Sequence, residues 1–121
     1  MSTKTFRFNE HDVCINPETI YIGKEILVEL AEYDNVWVYG LHYGFTHIFR
    51  GYPCKKSKEN FPTRDEALKY VIKKLIGLLN ENIISHKNNK FYQSDVDSMK
   101  RAVKDLKQYL YDMTYIQLEL F

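Results

Sequence analysis

Cysteine, proline and glycine are scarce: two, three and five residues in a chain of 121. The two cysteines, Cys14 and Cys54, have no C-x-x-C spacing, so the sequence offers neither a disulfide framework nor a zinc ribbon, and reduced thiols are expected. No glycine-rich phosphate loop and no low-complexity linker is present. No apolar run approaches the roughly eighteen residues of a membrane span, and no basic, apolar leader follows Met1. The expectation is a cytoplasmic protein without a membrane partner. Charge of one sign is also missing: 17 basic against 16 acidic residues give a net +1. Overall charge therefore supplies no argument for a nucleic-acid partner, although a local basic face stays open.

What remains is the composition of a globular domain, 45% hydrophobic and 27% charged, long enough to bury a core. The aromatic residues crowd into the first half, where Tyr33, Trp37, Tyr39, Tyr43, Phe49 and Tyr52 alternate with β-branched residues and glycines, as in a pleated sheet. Three strands are expected. Lys24 to Tyr33 places Ile26, Val28 and Leu30 on one face; Val36 to Tyr43 follows across Asp34-Asn35, a pair suited to a tight hairpin turn. The third spans about Thr46 to Tyr52, ended by Pro53. Earlier strands at Thr5 to Phe8 and Thr19 to Ile22 are weaker readings, separated by Asn16-Pro17.

The periodicity then changes. Thr63 with Glu66 three residues on forms a capping box, after which Ala67, Leu68, Val71, Ile72, Leu75, Leu78 and Leu79 recur at helical spacing. A polar loop from Ser85 to Lys90 precedes a second helix, expected to be capped by Ser94, with Val96, Met99, Val103, Leu106, Leu110 and Met113 on its buried side. The fold class is α+β: an antiparallel sheet of three to four strands, two helices on one face, and a short C-terminal tail. One domain covers residues 1–114 and the tail residues 115–121.

Chemistry is hard to find. His42, His47 and Cys54 do not match a zinc-ligand spacing and lack a fourth donor. His11 and Cys14 have no third group to orient them as base and nucleophile. No catalytic, metal or cofactor site is assigned, and a non-catalytic role is expected.

The last five residues, Gln117-Leu118-Glu119-Leu120-Phe121, carry the strongest signal. They resemble the Q-L-x-L-F peptide with which bacterial polymerases and repair factors dock on the DNA sliding clamp. The resemblance implies that Gln117 hydrogen-bonds at a pocket rim while Leu118, Leu120 and Phe121 fill apolar subsites. Two structural alternatives compete for the same residues. Ile116, Leu118 and Leu120 alternate with polar residues as in a half-buried strand, and the preceding helix could simply run on.

A second resemblance is weaker. Trp37-Val38-Tyr39-Gly40, His47, Arg50 and Phe61-Pro62-Thr63-Arg64-Asp65-Glu66-Ala67 are similar in layout to the small β-β-β-α DNA-binding domains of tyrosine integrases. It implies nucleic-acid binding by an exposed sheet face, with Tyr39 and Tyr43 as stacking rings and Arg50, Lys55, Lys56 and Lys58 as phosphate contacts. The leading expectation is an accessory protein of bacterial or phage DNA metabolism carried by the sliding clamp. The alternatives are a nucleic-acid-binding domain and a homo-oligomeric interaction domain whose aromatics bury against a second copy.

Overall fold

Four antiparallel strands in the order of the sequence, followed by two long helices, make up the architecture of the computed structural model, which describes residues 4–119, with side chains to Thr114. The strands are β1 (Glu18–Ile22), β2 (Ile26–Tyr33), β3 (Val36–Gly44) and β4 (Phe49–Tyr52); the helices are α1 (Arg64–His86) and α2 (Gln93–Glu119), the latter entered through a 3-10 turn at Lys90–Tyr92. β1 is a full member of the sheet. Gly23, at φ +67°, makes the turn that joins it to β2. Asp34 and Asn35 both adopt positive φ, 48° and 65°, as the two central residues of a tight hairpin turn must.

That two-residue turn fixes the register. Leu30 pairs with Tyr39, Val28 with Leu41 and Ile26 with Tyr43, so all six share the face on which both helices lie. Ile20 and Ile22 join them from β1, and Leu68, Val71, Ile72, Leu75 and Leu79 of α1 close the layer with Met99, Val103 and Leu106 of α2. Each fully buried aliphatic side chain in this layer contributes roughly 1.5–3 kcal/mol. Thr63 caps α1 by accepting the Glu66 amide proton, as the capping box requires. Arg64, next to it, grips the Glu18 carboxylate with two nitrogens and ties the start of α1 to the edge strand.

The second helix begins earlier than Ser94. Asn89 accepts the Phe91 amide proton and caps the 3-10 turn, which leads directly into α2 at Gln93. Asp95 in the first turn of α2 is buried, and its carboxylate accepts the backbone N–H groups of Thr46 at 3.1 Å and His47 at 2.7 Å. This clamps the β3–β4 loop to the helix. Removing such charge-assisted bonds costs about 1.5–3 kcal/mol apiece. Asp95→Ala is therefore expected to lower stability by about 3 kcal/mol, read as a lower midpoint in urea with an unchanged slope.

Among the described residues, the opposite face of the sheet is covered at one end only. Residues 5–16 fold back over it, paired at Phe8 with Cys14 and at Val13 with Lys55 rather than forming a regular strand. Cys14, Ala31, Val38 and Cys54 make a small second core there, flanked by Phe6, Phe8 and Tyr33. Burial pushes the Cys54 thiol up to about 12, so it is protonated and inert at neutral pH. Gly40 makes the layering feasible: with no side chain, it lets the Pro53–Cys54 backbone cross directly above β3. The Cys54 amide then donates to Glu29 at 3.1 Å.

Candidate functional site

The uncovered end of the outer face is a row of residues one from each strand: Tyr21, Leu27, His42 and Gly51, in register across the sheet. Phe49, two residues along β4 from Gly51 and therefore on the same face, completes it. Tyr21 and Phe49 are 71% and 76% exposed, far more than large rings usually are. Between them lies a shallow cleft of about 410 Å³, with Lys24 and Arg50 at its margins. The His42 imidazole lies against Gly51, where a Cβ would overlap its Nδ1, and its Nε2 sits 3.2 Å from Glu29 Oε1. Glu29 thus joins two elements, holding the ring on one side and the Cys54 amide on the other.

A polar cluster occupies the other side of the sheet edge. Lys74 of α1 donates to the Tyr39 hydroxyl at 3.0 Å, and its ammonium lies 5.7–5.9 Å from the ring centres of Tyr39, Tyr52 and Tyr70. Glu59 accepts from the Tyr39 hydroxyl, and from the Tyr70 hydroxyl at 2.8 Å. Burial, and then the bond to Glu59, raise the Tyr39 phenol well above its ordinary value. A phenol held protonated in this way makes a poor nucleophile. The cage is filled by the protein's own lysine and works as a pin between α1 and the loop after β4.

The bond from Tyr39 holds the Glu59 carboxyl below its ordinary value of 4.5, and the bond from Arg64 does the same for Glu18. A carboxylate with a depressed folded-state pKa stabilises the fold above its unfolded value, and that contribution disappears as pH falls through the lowered one. Stability should accordingly drop below about pH 4.5. Glu59→Gln and Glu18→Gln should each make that drop shallower, as measured by melting temperature between pH 6 and 3.

The sequence-derived nucleic-acid residues do not form one surface. Tyr39 and Tyr43 are 7% and 4% exposed beneath the helices, which corrects their assignment as stacking rings. Their register with Leu30 and Ile26 turns them inward. Arg50 lines the sheet cleft, whereas Lys55 lies beside the Tyr39–Lys74 cluster. Lys56 stands 5.2 and 5.3 Å from the ring centres of Phe8 and Tyr33, and Lys58 is exposed on the loop that follows. Sequence reading missed Tyr21 and Phe49, although Tyr21 stands between the inward Ile20 and Ile22 and the alternation alone marks it as outward.

Of the clamp-like peptide, Gln117, Leu118 and Glu119 belong to the backbone of α2; Leu120 and Phe121 lie outside the described residues. No strand forms over 116–119. Among the described α2 side chains, Met113 is the last packed against the core, and Thr114 is exposed. Among the described residues no group of three or more His, Cys, Asp or Glu side chains is placed to hold a metal ion. No described helix is long and apolar enough to cross a membrane. Compared with known proteins, the chain matches no family model, no curated protein and no solved structure.

Proposed function

We propose that this chain is a non-catalytic accessory protein of bacterial or phage DNA metabolism that docks on the DNA sliding clamp through Gln117, Leu118, Leu120 and Phe121. The observation that carries the reading is the complete Q-L-x-L-F sequence lying beyond Met113, the last described α2 residue that packs on the core. The first three residues of the peptide occupy the last turn of α2, where carbonyls lack intrahelical partners and the cost of unwinding is small. Docking would then use a few apolar anchors in pockets, with the glutamine setting register at the rim.

Such an anchor-in-pocket contact, offset by the ordering of the peptide, corresponds to a micromolar Kd. Calorimetric titration of a bacterial sliding clamp with the full chain tests it. Saturable binding in the micromolar range, competed by a synthetic Q-L-x-L-F peptide, is the expected result. Absence of heat at clamp concentrations of several hundred micromolar would remove the reading.

A further inference from the structure

We infer that the surface running from the open sheet face, round the β1–β2 turn and along α2, binds single-stranded nucleic acid. Three shallow depressions share walls along this path. The first is the cleft between Tyr21 and Phe49; Lys24 and Glu25 line both it and a second, of about 590 Å³, which reaches Arg101 and Lys104. Lys104 in turn lines the third, with Lys100, Lys107 and Tyr111.

The charge along the path is net positive although the chain is nearly neutral. Lys24, Lys100, Arg101, Lys104 and Lys107 are all exposed, and none forms an ion pair with a described residue. Among the described residues, Arg101 reaches only the Ser98 hydroxyl, at 3.0 Å. Lys100 and Lys104 are four apart on one helix face, and Lys104 and Lys107 three apart, spacings at which like charges repel and weaken a helix. Glu25 and Asp105 line the second depression and Asp97 lies four residues before Arg101 on α2, three acids against the five cations. A polyanion along the stripe relieves that repulsion.

The shape of the path selects the polyanion. α2 packs on the inner face of the sheet, whereas Tyr21 and Phe49 stand on the outer one. A flat anionic bilayer cannot touch both, and a duplex, with a persistence length of about 150 base pairs, bends too reluctantly to follow the turn. A flexible single strand follows it. Its phosphates meet the lysines, and bases stack on the two exposed rings beside Gly51, which has no side chain, and the His42 ring packed against it. The sliding clamp has no part in this contact, so it stands or falls independently of the docking peptide.

The test uses the full chain without clamp and a fluorescein-labelled mixed-sequence 25-mer of single-stranded DNA, followed by anisotropy between 50 and 200 mM salt. Five phosphate contacts, at about 0.7 released counterions each, give a log–log slope near −3.5, or about 100-fold weaker binding over that range. Replacing Lys100, Lys104 and Lys107 together with glutamine, a residue of similar helix propensity, should reduce the slope to about −1.4 and the loss to about 7-fold. Tyr21→Ala with Phe49→Ala should weaken binding while leaving the slope unchanged. No binding at 50 mM salt, a triple variant with the wild-type slope, or tighter binding of the matching duplex or of phosphatidylserine vesicles would each overturn the inference.

Discussion

Replacing Gly40 with alanine is expected to lower the melting temperature by roughly 15 °C or to prevent folding. The added methyl would overlap the Cys54 amide nitrogen, with the Pro53 carbonyl carbon at 2.7 Å and Glu29 Oε1 at 2.8 Å. Two of these three contacts are backbone, held in place by the bond from Cys54 to Glu29 and by the small core of Cys14, Ala31 and Val38. Overpacking of this kind costs about 1–3 kcal/mol, and breaking a bond to a charged acceptor adds about 1.5–3 more. That is a large share of the 5–15 kcal/mol that holds a typical domain. Gly77→Ala provides the opposite sign in the same assay. Gly77 sits within α1 with nothing inside 4 Å of an added Cβ, so the alanine should stabilise by about 0.8–1 kcal/mol. Equal melting temperatures for the two variants would mean that the crossing of residues 53–54 over β3 is misdescribed.

The second large effect concerns the clamp. Replacing Leu120 and Phe121 with alanine removes two apolar anchors, and anchors of this type contribute about 2 kcal/mol or more each. The combined loss of about 4 kcal/mol corresponds to a roughly 1,000-fold weaker complex, from micromolar to millimolar. Removing residues 118–121 should have the same effect on binding while shifting the melting temperature by only a few degrees, because the last residues of a chain contribute little to global stability. Loss of folding on truncation would show that the peptide is part of the architecture, and the docking proposal would fall with it.

Much of the fold was legible because local rules and tertiary packing agree. The Asp34-Asn35 turn, the Thr63 cap and the aliphatic stripes of both helices each follow from side-chain chemistry within a few residues. The same rules contained more than was read from them. A two-residue turn at Asp34-Asn35 forces Tyr39, Leu41 and Tyr43 onto the face of Leu30, Val28 and Ile26, and so excludes the two tyrosines from an open surface. Other features have no local signal. The fold-back of residues 5–16 depends on the distant Lys55 and Cys54, and the role of Asp95 depends on a loop 48 residues earlier. The basic path on α2 emerges only when Lys24 is brought beside Arg101 and Lys104. Net charge conceals it, since acids elsewhere balance the sum.

Amide resonances of the isotopically labelled full chain, followed during titration with unlabelled clamp, test docking through the C-terminal peptide most directly. Signals from Gln117 to Phe121 are expected to shift or broaden first and most, while those of β1 to β4 keep their positions. Saturating clamp that leaves the 117–121 signals unchanged, or that perturbs the sheet and spares them, would contradict such docking.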